Sequence, residues 1–424
     1  MRKIDSVIKE ISKDINPSKE ELKFIEKNLS EFLKKTKKRI KKLKINAEIF
    51  VGGSYAKKTL TKGSLYDVDI FLRFGKKHSE KEYSRLSKKI LRRTKRVSVS
   101  HGSRDYFRIK ISPSVYFEVV PVKKVSKPSQ AVNITDLSYS HVKYINKKIK
   151  NKKILEEIKL AKIFLKASKS YGAESYVHGF SGYAVELLIY HFKSFEKFLK
   201  ELTKKRKQKL IIDIENFYKD GDVLLDINGS KLDSPIILID PTYKVRNVVA
   251  ALTDETYEKF QEYARKFLKN PSIDFFKEKE VDYKKLKENA SNKNFDFLEI
   301  KLKTKKEAGD VAGTKLLKFF NHFSKEIGKY FEVKDKYFEY GGKKSGRGYL
   351  VLKSRGELVF KGPKIIDKKN LENFGSEHKI TFVKGNRIYA KEVINVSGKE
   401  FVKKWAQKNK KKLRDMDISE VRIS

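Results

Sequence analysis

Near residue 45 the apolar spacing shifts from every third or fourth position to every second, and a fold for this chain must accommodate that change. Before it, Ile4, Val7, Ile8 and Ile11, then Leu22, Phe24, Ile25, Leu29 and Leu33 after the start signal "NPSKEE", give two helices with one apolar face each. The stretch "KKTKKRIKKLK" (34 to 44) is basic on nearly every side and reads as a solvated helix end. From 47 onward "AEIFV", "LYDVDIFLRF", "VSVSH", "YFRIKIS" and "VYFEVVPV" alternate or run apolar, which predicts a mixed sheet to about residue 125. Residues 152 to 202 return to helical spacing around a glycine-bearing break, "YGAESYVHGFSGYA", and 254 to 269 is a further helix. A second α/β region follows from about 275, with strands expected at "FDFLEIKLK", "YFEYGG", "GYLVLKSR", "ELVFKGP", "HKITFVKG" and "RIYAKEVINV". The class is therefore α+β, and 424 residues suffice for two to four domains.

What would an interior strand want with Asp67 and Asp69? Alternate residues of a strand share a face, so the two carboxylates project together while Val68 and Ile70 enter the core. Side by side they repel, and a divalent cation relieves that repulsion; the bland reading sets both in solvent on an edge strand. The preceding "GGSYAKKT" supplies the other half of a site. Gly52 and Gly53 allow a sharp turn, Ser54 is expected to cap a short helix, and free N–H groups beside Lys57 and Lys58 favour phosphate. A third carboxylate is expected on the neighbouring strand at Glu118, with Asp105 in the loop-like "HGSRDYF" as competitor.

Charge and composition narrow the partners. The net charge of +45 repels itself unless a polyanion or salt screens it, so nucleic acid leads, although lysine richness also accompanies adaptation to heat. No apolar run is long enough for a membrane span, and the N-terminus lacks a secretory core, so a soluble cytoplasmic protein is expected. Without cysteine there is no disulfide or thiolate zinc site, and a metal must be held by oxygen, which suits Mg²⁺.

Glycine turn and aspartate pair together match the pattern G-[GS]-x(n)-D-x-D of the nucleotidyltransferase superfamily that includes polymerase β. The resemblance extends further. "GSYAKKTLTKGSLYDVDIFLRF", "NITDLSYSHVKY", "IKLAKIFLKASKSYGAESYVHGFSGYAVELLIYHF" and "LIDPTYKVRNVVAALT" stand in the order found in the archaeal (class I) CCA-adding enzymes, tRNA nucleotidyltransferases that build and repair the 3′ CCA end. "ELVFKGPKI" and "ITFVKGNRIYAKE" are similar to that family's RNA-binding body, more weakly.

The resemblance implies a polymerase β-like head over residues 1–140, a helical central domain over 141–257 closing the nucleotide site, and an α/β tRNA-binding region over 258–424, with an inserted subdomain at about 307–370. It also implies a two-metal Mg²⁺ site. The ligands are Asp67, where the family often has Glu, Asp69, and Glu118, where Asp is usual. Gly53, Ser54 and Lys57, which replaces an arginine, face the triphosphate. His141, Lys162 and Tyr171 make further triphosphate and sugar contacts. Arg246 reads the base of CTP or ATP, since C and A both carry a bare ring nitrogen beside an amino group and G and U show the opposite polarity. Asp240 and Pro241 are expected only to turn the chain into that loop. Of Tyr337, Phe338 and Tyr340, which are candidates for stacking on the tRNA acceptor arm, at least one is expected in the core. Two other functions remain in view: poly(A) or oligo(U) addition, and non-catalytic tRNA binding. The oligomeric state stays open, a homodimer among the options.

Overall fold

Helices α1 (Lys3–Ser12) and α2 (Lys19–Lys42) precede β1 (Ala47–Val51), the short helix α3 (Gly53–Ala56), β2 (Tyr66–Phe74), α4 (Glu80–Leu91), β3 (Val97–His101), β4 (Asp105–Lys110) and β5 (Val115–Lys123). This computed structural model describes residues 2–101, 104–218, 223, 227–278, 281–393 and 396–423. Ser18 starts α2 with a capping box: its hydroxyl accepts from the Glu21 N–H at 3.1 Å, and the Glu21 carboxylate accepts from the Ser18 N–H at 2.7 Å. The strands form one sheet in the order β1-β2-β5-β4-β3, in which β2 and β5 run parallel and the other pairs antiparallel. Period two then sorts the side chains. Tyr66, Val68, Ile70, Leu72 and Phe74 pack with Phe117 and Val119 under α2 and α4. Asp67, Asp69 and Glu118 are left on the other face.

Asp105, expected in a loop, opens β4 and is engaged there by Ser84 and His101. Gly102 and Ser103 of that stretch lie outside the described residues.

Helices α5 (Ser138–Lys148), α6 (Lys152–Ala167), α7 (Gly182–Phe192), α8 (Phe195–Thr203) and α9 (Asp254–Lys269) build a second core. Phe164, Phe180, Phe195, Phe198, Phe260 and Phe267 interlock there, with Phe164 and Phe267 centroids 5.3 Å apart. Each such ring stabilises the fold by about 1.5–3 kcal/mol relative to exposure. Ile4 and Val7 of α1 join this core rather than the sheet's. Sequence spacing did not indicate a small sheet here, β6 (Leu210–Ile212), β7 (Ile236–Asp240) and β8 (Tyr243–Asn247), in the order β6-β7-β8.

The chain divides into compact units Met1–Lys279 and Glu280–Ser424. The division falls beyond the expected position 258, which lies inside α9, because Phe260, Ala264 and Phe267 belong to the first unit's core. In the second unit β9 (Asp296–Thr304), β10 (Phe331–Tyr340), β11 (Ser345–Ser354), β12 (Glu357–Lys364), β13 (Thr381–Lys384), β14 (Arg387–Val393) and β15 (Ile418–Ile423) make two sheets, β10-β11-β9-β15 and β12-β14-β13. The helix Asp310–Ile327 packs Leu316, Phe319, Phe320 and Phe323 with Ile300 and Leu350 of the four-stranded sheet, so it belongs to that layer. The interruption of that sheet is therefore residues 357–393, later than the expected 307–370. Phe338 packs against this core, its ring 5.5 Å from that of Phe320, and the Tyr340 hydroxyl donates to the Gly309 carbonyl at 2.6 Å. Residues 394 and 395, at the end of the expected strand "RIYAKEVINV", lie outside the described residues. Among the described residues no helix is long and apolar enough to cross a membrane.

Candidate active site

Parallel pairing of β2 with β5 sets Asp69 directly opposite Glu118, with Asp67 two residues along the same face. Burial, then the charges of Asp69 and Asp67, push the Glu118 carboxyl up to about 7, against the pull of Arg108. Asp69 is pushed up to about 6 by burial and by Asp67, with Lys57 and Lys162 drawing it down. Arg108, opposite Glu118 on β4, reaches across β5 to donate to Asp67 Oδ1 at 2.9 Å and lies 4.2 Å over the Tyr116 ring. Among the described residues no three acidic or histidine side chains converge as a ready ligand set. The donor chemistry nevertheless fits a divalent cation: hard carboxylate oxygens, crowded and partly buried, whose ionised forms repel without a cation.

The glycine turn is pressed against these acids. Gly52 N–H donates to the Asp69 carbonyl at 2.8 Å. Gly53 has φ +61°, and a Cβ there would lie 1.6 Å from Asp69 Oδ2, so no side chain fits. Ser54 does not cap the helix. Gly52 is the N-cap, because the chain turns at the glycines and Ser54 is already the second helical residue.

Beyond the turn, Lys57 and Lys162 are both buried and share one carboxylate. Lys57 Nζ donates to Glu186 Oε2 at 2.6 Å, Lys162 Nζ to Glu186 Oε1 at 2.8 Å, and Thr59 Oγ1 to Oε1 at 2.8 Å. Burial raises the Glu186 carboxyl, but the two lysines outweigh it and hold the group well below the usual carboxylate range. Tyr171 stands beside this cluster; its hydroxyl closes on Gly182 at the start of α7, where a Cβ would be 2.8 Å away. Burial pushes that hydroxyl's pKa up, so it stays protonated.

A second hub adjoins the first. Asp240, fully buried, accepts from His141 Nε2 at 3.0 Å, Arg246 Nη1 at 2.5 Å, Tyr183 at 3.2 Å, and the Thr242 N–H and hydroxyl, each at 2.8 Å. Asp240 thus does more than turn the chain: it fixes His141 and Arg246 in place. The His141 ring stacks on Tyr183 at 4.0 Å, and Lys57 Nζ lies 5.8 Å over the same tyrosine, joining the two hubs. Burial lowers the His141 pKa more than Asp240 raises it, which favours the neutral imidazole.

Sequence reasoning missed Glu186, Tyr183 and Arg108, and gave Asp240 only the role of turning the chain. A signal existed for two of them: Glu186 is the lone charge in the apolar helix "YAVELLIYHF", and Asp240 ends the apolar run "IILID".

A family model described as "Nucleotidyltransferase domain" matches residues 29–121, and one described as "tRNA nucleotidyltransferase, second domain" matches 156–277. Among curated proteins, the chain is 30% identical over 406 residues to the CCA-adding enzyme of Methanocaldococcus jannaschii, covering 91% of this chain and 87% of that protein. It is 40% identical over 212 residues to the CCA-adding enzyme of Nanoarchaeum equitans, covering 50% of this chain and 52% of that one. A solved structure of Cid1, described in terms of RNA terminal uridylyl transferase activity, matches with TM-score 0.50 at 11% identity, over 65% of this chain and 98% of that one. That likeness extends to fold alone.

Proposed function

The chain belongs to the family of archaeal CCA-adding enzymes, and from that premise we propose how its residues carry out the reaction. The enzyme is a tRNA nucleotidyltransferase that adds CCA to tRNA without a template. CTP and ATP are the nucleotides, and the setting is the cytoplasm. Asp67, Asp69 and Glu118 would hold the divalent cations, read as two Mg²⁺, which would supply activation of the attacking 3′ hydroxyl and neutralisation of the leaving pyrophosphate.

The chain's own side chains do the rest. Lys57 and Lys162, held by Glu186, present fixed positive charge to the triphosphate, and Ser54 and the Gly53 backbone approach it closely. Tyr171 stays protonated and donates toward the sugar and phosphate. Arg246, aimed by Asp240 with His141 alongside, donates to the ring nitrogen that C and A share. The first unit carries the nucleotide chemistry and the second holds tRNA.

The observation that carries this reading is the Asp69–Glu118 pair opposite one another, with Gly53 closed against Asp69 and Lys57 drawing its pKa down. Incubating the enzyme with tRNA lacking its 3′ CCA, with CTP, ATP or both, and sequencing the product ends tests it. The expected ends are CC with CTP alone and CCA with both. Long A tails with ATP, or U tails when UTP is supplied instead, would favour the poly(A) or oligo(U) alternative, and unchanged ends would leave only RNA binding. Asp69→Ala should give no addition while binding tRNA normally.

A further inference from the structure

A groove of about 730 Å³ opens on the face of the N-terminal sheet opposite Asp69 and Glu118, between α2, the turn after α4, and the end of β4. Its floor is apolar, formed by Phe32, Ile90 and Ile109. Eight of its sixteen lining residues are Lys or Arg, and one, Glu31, is acidic. Lys38, Arg39 and Lys42 come from α2, Arg93 and Arg96 from the turn, and Lys110 from β4. The negative end of the α2 dipole accounts for Arg39 and Lys42 in its last turn. It does not account for Lys38, nor for cations brought to the same groove by two other elements.

Like charges crowded on an apolar floor destabilise the fold unless an anion meets them. Lys35 has Glu31 at 3.5 Å, but among the described residues no such partner is found for the other seven. Arg39 is the sharpest case: its Nε is buried with no acceptor among the described residues, while the side chain as a whole is half-buried. Its outer guanidinium N–H groups suit a phosphate in the geometry that guanidinium favours.

We propose that this groove is a second RNA-binding site, which holds phosphates of the tRNA backbone on the side of the catalytic domain away from the metal-binding carboxylates. It takes no part in nucleotidyl transfer. Its role is to add affinity for tRNA and to steer its approach. An RNA partner is favoured over an acidic protein segment because three of the six named cations are arginines, suited to bidentate phosphate contacts, and because the substrate of the proposed reaction is RNA.

The test uses the full-length enzyme and the combined Lys38→Gln, Arg93→Gln, Arg96→Gln variant, with tRNA binding followed by fluorescence anisotropy over a KCl series. Thermal unfolding should shift slightly upward and not downward, because all three side chains are exposed and their removal relieves the crowding of like charge. The tRNA Kd should rise roughly tenfold, and the slope of log K against log salt should become shallower by up to about 0.9 per phosphate contact removed. The rate of CMP addition at saturating tRNA should not change. Equal Kd and equal salt slope in wild type and variant would overturn the proposal. So would competition by poly-glutamate that matches RNA of equal charge and disappears in the variant, which would assign the groove to an acidic protein. Groove-dependent tRNA binding in an enzyme that adds no CCA would refute the proposed activity and leave this site standing.

Discussion

Glu186 remains ionised with no exposure to water because two ammonium groups and a hydroxyl meet its two oxygens. Removing one partner of such a buried set costs about 3–5 kcal/mol, since the others are left uncompensated. Glu186→Gln should therefore destabilise the first unit by that order and raise KM for both CTP and ATP as Lys57 and Lys162 lose their fixed positions. Unchanged KM for both nucleotides, with Lys57→Ala and Lys162→Ala each raising it, would show that Glu186 serves folding alone. The pH dependence has a definite sign. The native carboxyl is held below its ordinary value, so its stabilisation is fully present above the unfolded value near 4.5 and is lost as pH falls through the folded value of about 2. The stability gap between wild type and Glu186→Gln, read from denaturant titrations, should be constant at neutral pH and narrow below about pH 4.5. A gap that widened on acidification would contradict the ion-pair account.

At the scale of elements, the Gly52–Gly53 turn and β2 act as one piece. Gly53→Ala would place a methyl on the Asp69 carboxylate at a backbone angle that alanine resists, displacing the acid by about an ångström and slowing addition on the order of 10²-fold. Gly229→Ala meets nothing within 4 Å and should be neutral in the same assay. Full activity of Gly53→Ala would mean that Asp69 is not a ligand. This piece was legible in the sequence because strand alternation forces Asp67 and Asp69 onto one face whatever surrounds them. Glu118 was legible for the same reason, as the charge at an alternating position of another strand. For Glu186 and Asp240 only the anomaly of a lone acid in an apolar run was legible, because part of what makes each tolerable inside the protein lies far along the chain, 129 residues from Glu186 to Lys57 and 99 from Asp240 to His141. The β6–β8 sheet was hidden because its strands are three to five residues long and β7 is buried throughout, so no alternation marks it. The α9 boundary was misplaced because a period of 3.6 identifies a helix without saying which core its apolar face joins.

For the whole molecule, a net charge of +45 implies binding that salt should weaken steeply. The residues assigned to the nucleotide all precede residue 247, inside the unit Met1–Lys279, whose apolar clusters draw only on residues 4–276. That unit should therefore fold when expressed to residue 279, which a cooperative thermal transition would establish. Once folded, it should bind CTP and ATP nearly as the full chain does, because the Glu186 and Asp240 hubs are intact. Its tRNA affinity should fall by a larger factor, and the salt slope should become shallower without vanishing, since the basic groove beside α2 is retained. Nucleotide affinity lost together with tRNA affinity would mean that the second unit helps to build the nucleotide site. A folded fragment with full tRNA affinity and an undiminished slope would instead assign the whole RNA grip to the first unit.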